Sequence, residues 1–263
     1  MDFKGKKYFV LDPYNLGSHG ISHMTVNLKV FFAVARKTGL IIILPYFGLQ
    51  SRHNFGKEIR TNFLEYYDLS QETFLLSLPD DATPENTYTW KPLKILSLYT
   101  GVDKLIINFK PLTQIDYPIH YSIKEKAQRI IDILPKPLIS IHVRRGDYLL
   151  RRHSAYKTTQ PVYILNKILS VMRKNPEVEY KSVYIYSNEE NLNYFNSLKT
   201  ISIIPKVYTV IDFPELIEQR KIDNYVLYLM EKCIEDAAQS RISTWKTNNP
   251  YYSENLDETR GDN

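Results

Sequence analysis

The sequence predicts an α/β protein of two domains, and three observations carry that expectation. An apolar run of strand length, Leu138–Val143, stops at two adjacent guanidinium groups, Arg144 and Arg145. Near the N-terminus, two further apolar runs, residues 8–11 and 40–44, flank a stretch from Ser22 in which Leu28, Phe31, Phe32 and Ala35 fall on one helical face. Between these regions stand Pro135 and Pro137, which break a helix and open an extended segment. The domain boundary is placed there, dividing residues 1–134 from residues 135–263.

Taken in order, residues 8–11 read as the first strand, and Asp12 to Gly20, rich in Pro, Asn, Gly and Ser, as the loop at its end. The helix from Ser22 ends at Gly39, a glycine cap, and residues 40–44 form the next strand. This is a βαβ unit, whose first loop faces the ligand side of the sheet. Residues 46–110 carry weaker signals: a surface loop over 78–86, with Pro79, Asp80, Asp81 and Pro84, and a strand over 105–109. Ser122 and Glu125 have capping-box spacing before a helix with Ala127, Ile130, Ile131 and Leu134 on its apolar face. After the central strand, residues 149–160 read as a basic loop with Arg151, Arg152, His153 and Lys157. Pro161 opens a helix with Leu165, Ile168, Leu169 and Met172 inward. Residues 182–186 and 206–210 are strands, and Ser187-Asn188-Glu189 reads as the start of a helix. A last helix from Asp223 turns Val226, Leu229 or Met230, Cys233 and Ala237 inward, and the polar tail from Ser253 reads as frayed.

Composition narrows the function classes. With 43% hydrophobic and 24% charged residues in 263, the chain is an ordinary globular protein. Its net charge of +5 suits an anionic substrate such as a nucleotide sugar, and suits nucleic acid or a membrane surface equally. The positive charge is spread along the chain rather than clustered and no nucleic-acid module is recognised, so nucleic acid is not the expected partner. Cys233 is the single cysteine, which rules out an intrachain disulfide and a thiolate metal cluster. His19 and His23 alone have ligand-like spacing, with no acid nearby, so no metal is expected. The N-terminal residues carry charge and only a short apolar run, so neither a signal peptide nor a membrane span is read, and the expected location is cytoplasmic.

The segment His142-Val143-Arg144-Arg145-Gly146-Asp147 carries the chemistry. It places charge at the carboxyl end of a buried strand, the edge at which open α/β sheets bind ligands. A guanidinium holds its charge and binds phosphate oxygens bidentately. Arg144 and Arg145 are neighbours in an extended chain and point apart, so one can grip an anion while the other pairs with Asp147 or lines the site. Read in isolation, the same residues also fit a structural Arg–Asp pair. The tripeptide Arg145-Gly146-Asp147 is discounted as an adhesion motif because a core strand leads into it.

These residues resemble the His-x-Arg-Arg-x-Asp motif of the GDP-fucose-dependent fucosyltransferases, the superfamily that holds the α-1,2-fucosyltransferases of glycosyltransferase family 11 and the protein O-fucosyltransferases. The resemblance extends to the helix, Thr38-Gly39 and apolar strand ending at Pro45, although the family's Gly-Asn-Gln stands here as Ser22-His23-Met24. Asn62-Phe63-Leu64-Glu65-Tyr66-Tyr67-Asp68 is similar to its Phe-x-x-Tyr-Phe-Asp stretch, and Val183 to Glu189 to its second motif. Tyr228-Leu229-Met230-x-x-Cys233 is similar to the opening of the third motif, with Ser243-Thr244-Trp245 matching its Ser-Thr-Phe at altered spacing.

The resemblance implies a GT-B-like glycosyltransferase with two Rossmann-like domains facing a cleft, an acceptor-side domain over 1–134 and a nucleotide-sugar domain over 135–263. It implies an inverting fucosyltransferase that moves L-fucose from GDP-β-L-fucose to a hydroxyl of a glycan or protein acceptor, without a cofactor or metal. Arg144, Arg145 and Asp147 are the implied catalytic residues. His142, Arg144, Ser187, Asn188, Glu189, Ser243 and Thr244 form the implied donor site, with Asp12 and His23 on the acceptor side. Asp12, His23 and Asp147 are all candidates for the general base. His142 stays open between a donor contact and a buried imidazole. The competing readings are a catalytically inactive GDP-sugar binder or scaffold and a basic nucleic-acid-associated protein.

Overall fold

The computed structural model describes residues 7–11, 21–49, 54, 57–91, 96–107, 117–145, 149 and 153–244, with the backbone alone at 22, 23, 49, 90, 91, 96, 97, 107 and 153–155. Contacts divide the chain into two compact units, Met1–Tyr121 with Asp223–Tyr225, and Ser122–Ile222 with Val226–Asn263. The sequence places the boundary at 134/135; in the structure residues 122–134 group with the second unit.

In the first unit, β1 (Tyr8–Val10) lies parallel to β2 (Ile41–Ile43) and to β6 (Thr87–Lys91), and β2 is parallel to β5 (Phe74–Leu75). The six-stranded order is β5-β2-β1-β6-β7-β8, with β7 (Leu96–Tyr99) and β8 (Lys104–Ile107) added antiparallel. Helix α1 (Ile21–Thr38) forms the crossover between β1 and β2. Its Met24, Leu28, Phe31, Phe32 and Val34 are buried, and Phe31 meets Phe9 of β1 edge-on at 5.0 Å. The opposite face of β1 and β2 buries Tyr8, Ile41 and Ile43 against Val10, Leu75 and Ala82. Gly39 ends α1 as expected: its φ is +71° and its amide donates to Ala35 at 2.7 Å, a conformation that a Cβ disfavours. A hairpin of β3 (Phe47–Leu49) and β4 (Ile59–Thr61) follows β2. Neither this hairpin nor β5, β6 and β7 is evident from sequence periodicity, because each strand is short.

The second unit is a four-stranded parallel sheet of order β11-β10-β9-β12: β9 (Leu138–Val143), β10 (Ser182–Ser187), β11 (Lys206–Thr209) and β12 (Ser240–Ser243). Successive side chains of a strand alternate between faces. Ile139, Ile141, Val143, Val183 and Ile185 therefore form an apolar core with Ile164, Ile168 and Val171 of α4 (Pro161–Lys174). Of the residues expected inward from α4, Ile168 is fully buried, whereas Leu165, Leu169 and Met172 are only partly buried at the rim of that core, beside the buried Ile164 and Val171. On the other face, α2 (Tyr121–Ile133), α5 (Pro214–Ile222) and α6 (Asn224–Asp236) complete the unit, and Lys126 of α2 donates to Gln219 of α5 at 3.2 Å.

Three expectations are corrected. The basic loop over 149–160 contains a short helix, α3 (His153–Thr158), because Ser154 to Thr158 includes no Gly or Pro to stop it. The helix expected after Ser187 does not form. Ser187 Oγ instead accepts from Glu189 N at 3.1 Å in a local turn, and a 3₁₀ turn follows only at Asn196–Thr200. On α6, Ala237 is exposed beyond the helix end and Cys233 is half-buried, while Leu227, Leu229, Met230, Glu231, Ile234 and Glu235 face the interior. No helix among the described residues is long and apolar enough to cross a membrane.

Within the first unit, the Tyr66 hydroxyl donates to Asp223 Oδ2 at 2.9 Å, both residues being buried, while Asp223 Oδ1 accepts from Tyr225 N at 2.8 Å. Replacing Tyr66 with Phe takes a donor from a buried carboxylate and is expected to destabilise the protein by about 2 kcal/mol, read as a lowered midpoint in urea unfolding.

Candidate functional site

Parallel strands wound in the order β11-β10-β9-β12 reverse direction between β9 and β12, and at such a switch the connections leave the carboxyl edge to opposite sides. The arginine motif sits at this point. Thr244 N donates to the His142 carbonyl at 3.0 Å, and Arg144 N donates to Thr244 Oγ1 at 3.3 Å, so the ends of β9 and β12 are joined on either side of Arg144. On the other flank, Ser187 Oγ donates to the Val143 carbonyl at 2.6 Å, which joins β9 to β10. The structure thus gathers His142, Arg144, Arg145, Ser187, Asn188, Glu189, Ser243 and Thr244 along one edge. Asp12, Asp147 and Trp245 lie outside the described residues, and of His23 only the backbone, in α1, is described.

The two arginines differ. Arg144 is half-buried at the strand end, whereas Arg145 is buried, 7% exposed. Arg145 N donates to Asn188 Oδ1 at 2.7 Å, its Nε is ion-paired with Glu189, and a terminal nitrogen donates to Thr159 Oγ1 at 2.9 Å. Its guanidinium carbon lies 3.9 Å from the Tyr194 ring centroid, within cation–π range. Asn188 and Glu189 are therefore turned onto Arg145. Thr159 and Tyr194 had no signal in the sequence, since each is an ordinary polar or aromatic residue in a turn.

Next along the edge, a shallow depression open to solvent is bordered by Ser187, Glu189, Phe195, Thr209, Val210 and Arg220. Arg220 of α5 reaches it by donating to the Glu189 carbonyl at 2.9 Å.

The sheet face beneath is polar and aromatic. His142 stacks on Tyr186 at 4.7 Å with ring planes 8° apart, as their direct pairing across β9 and β10 requires, and Tyr228 of α6 meets it edge-on at 6.4 Å. Burial drives the imidazole down to about 4, against the pull of Glu235 and with the help of the Arg144 and Lys232 charges, so it is neutral at pH 7. Tyr184 donates to Glu231 Oε1 at 3.1 Å, and Lys232 pairs with Glu235 at 2.7 Å. Glu231 is buried, and loss of solvation pushes its carboxyl up to about 8, opposed by the Tyr184 hydrogen bond and Arg220. Glu231 and Glu235 fall about one and two helical turns along from Leu227, beside Ile234, so charges set on an apolar helix stripe were the available sequence signal for this network. Among the described residues, no group of three or more His, Cys, Asp and Glu side chains gathers at metal-binding spacing.

Because Glu231 holds its proton more tightly when folded, the folded state binds a proton that the unfolded state has released between the ordinary carboxylate value and about pH 8. Its contribution to stability is full below that window and is lost as pH rises through it. Glu231→Gln keeps an acceptor for Tyr184 and cannot ionise. The melting temperature of the wild type is thus expected to fall relative to Glu231→Gln between pH 5 and pH 8, measured by calorimetry at each pH.

No family model matches the sequence, and no curated protein matches it. Solved structures do match. The crystal structure of POFUT1 in complex with GDP-fucose aligns at 13% identity over 91% of this chain and 98% of that one, with a TM-score of 0.53. POFUT1 in complex with GDP aligns at 12% identity over 92% and 98% of the two chains, with a TM-score of 0.52. The fold is thus the GT-B-like α/β fold of these structures, with two Rossmann-like units in one chain.

Proposed function

We propose that the protein is an inverting glycosyltransferase that moves L-fucose from GDP-β-L-fucose to a hydroxyl of a glycan or protein. The observation that carries this reading is the placement of Arg144 and Thr244 side by side at the β9/β12 switch point, in a fold shared with a protein crystallised with GDP-fucose. In this reaction the bond from C1 of fucose to the β-phosphate oxygen breaks and its electron pair stays on GDP. The acceptor oxygen forms the new bond to C1 from the opposite face, and its proton passes to a base. Arg144 meets the charge that grows on the departing diphosphate, where a fixed guanidinium is worth more than in water. Ser243 and Thr244, at the end of β12, supply hydroxyl groups beside it.

Arg145 has a different task under this reading. Tied to Asn188, Glu189, Thr159 and Tyr194, it fixes the ends of β9 and β10 so that Arg144 keeps its direction. His142, neutral and stacked on Tyr186, supports the strand from beneath. Asp12, His23 and Asp147 remain the candidates for the base, and a transition state with much charge on the sugar ring lowers the demand on it.

Calorimetric titration of GDP and GDP-fucose into the wild type and Arg144→Ala tests the reading. Micromolar binding is expected, with a loss of about 2 kcal/mol, or roughly thirtyfold, in the variant. Equal binding by both proteins would remove Arg144 from the diphosphate. Tight GDP binding with neither transfer nor donor hydrolysis would instead mark a sugar-nucleotide binder.

A further inference from the structure

The hairpin that follows β2 carries an exposed feature that donor binding does not use. Strands β3 and β4 pair with Phe47 opposite Thr61 and Gly48 opposite Arg60. Phe47 and Thr61 turn inward and are each 1% exposed, Phe47 packing on Phe63 at 5.2 Å between centroids. Alternation then turns Tyr46, Gly48 and Arg60 outward, and all three are exposed. The Arg60 guanidinium stands 5.4 Å from the Tyr46 ring centroid. Over Gly48 the space is open, since a Cβ there would meet nothing within 4 Å. The result is a bare backbone floor bordered by an aromatic ring and a cation.

The platform is held in place from below. The buried amide of Asn62 donates to the carbonyls of Leu44 at 3.0 Å and Pro45 at 3.3 Å, and its Oδ1 accepts from Leu64 N at 3.0 Å. Tyr46 is thereby fixed three residues beyond the end of β2. Leu11 N donates to the Ile43 carbonyl at 3.2 Å, so the chain leaves β1 and β2 at the same carboxyl edge, where open α/β sheets take ligands.

Among the described residues, the charge of Arg60 has no paired carboxylate. Arg36, Arg129, Arg145 and Arg241 are paired with Glu72, Glu215, Glu189 and Asp236, whereas among the described residues no carboxylate pairs with Arg60. Its exposed guanidinium, beside the Tyr46 ring, carries a planar fork of N–H donors of the kind that receives a carboxylate bidentately.

We propose that Tyr46, Gly48 and Arg60 form a glycan-binding subsite for an acidic sugar. The C–H face of the pyranose lies on the Gly48 floor and against Tyr46, and the sugar carboxylate accepts from Arg60. Such a glycan is the acceptor; that assignment rests on the fucosyl-transfer reading, whereas binding at the platform does not.

Saturation-transfer NMR on the full chain, with a glucuronic-acid-terminated disaccharide and its glucose-terminated analogue as probes, tests the subsite. The acidic disaccharide is expected to bind the wild type, about tenfold more weakly to Arg60→Gln and Tyr46→Ala, and the neutral analogue to bind no better than those variants. Both substitutions are at exposed positions, and unchanged melting temperatures and unchanged GDP affinity are expected to show that the fold and the donor site are intact. No binding of the acidic disaccharide, equal binding of the two sugars, or unaltered binding by both variants overturns the subsite. A fucose-transfer assay with the same disaccharides then separates the two readings. Binding that Arg60→Gln weakens, without transfer to the acidic sugar, overturns its assignment as acceptor, while loss of GDP binding in the wild type overturns the donor reading and leaves the sugar contact standing.

Discussion

The second unit depends on one buried cation. A guanidinium taken out of water costs several kcal/mol, and Arg145 is tolerated because each of its directions is met: the Glu189 carboxylate, the Thr159 hydroxyl and the Tyr194 ring. Those partners come from three places in the chain, the turn after β10, the segment between α3 and α4, and the turn before the 3₁₀ segment. One side chain thereby closes three connections onto the end of β9. The constraint also sorts the two arginines. With Arg145 committed inward, the alternation of an extended chain leaves the Arg144 side chain on the opposite side, while its backbone amide donates to Thr244 Oγ1.

The sheet that carries this edge has two unlike faces, and the difference follows from β9 and β10 alone. Their odd positions, Ile139, Ile141, Val143, Val183 and Ile185, are aliphatic and meet α4 in an ordinary core. Their even positions include Ser140, His142, Tyr184 and Tyr186, and against these α6 sets Tyr228, Glu231 and Glu235. Stacked rings keep this face dense, with Tyr184 and Tyr186 inclined by 20° and His142 nearly parallel to Tyr186. A face of this kind stabilises less per unit area than an aliphatic one, since its polar atoms require partners. In return it fixes the orientation of the strand end that bears Arg144.

The βαβ unit, the central strand and the carboxyl-edge position of Arg144 were legible because their signals are local: a run of apolar residues, a 3.6-residue period, a glycine cap. The motif residues between 142 and 244 were reached through resemblance, and the sheet order brings them together. What periodicity did not reveal is physical in origin. Strands β3, β5 and β7 are two to four residues long, too short for alternation to register against the loops around them. Helix α3 was hidden by its basic composition. The partners of Arg145 and the pairing of Tyr66 with Asp223 are separated by 14 to 157 residues and have no local signature. Glu231 and Glu235 were visible only as an anomaly, two carboxylates on the buried stripe of a helix.

Both units use the same winding. In the first, β5-β2-β1-β6 are parallel, and in the second, β11-β10-β9-β12, so each has its first strand at the centre and a reversal beside it. Chemistry then distinguishes two edges of the same design. In the second unit the edge is closed by side chains that bond one another, with Arg145 buried and Ser187, Thr244 and Asn188 joining neighbouring strand ends. Such an edge is stiff and suits a ligand of fixed shape and charge, as a nucleoside diphosphate is. Beyond β2 in the first unit, a buried Asn62 holds the backbone, while Tyr46 and Arg60 stay exposed over an uncluttered glycine. A rigid base with an open upper surface imposes chemistry without enclosing its ligand, which suits one end of a larger molecule whose remainder stays in solvent.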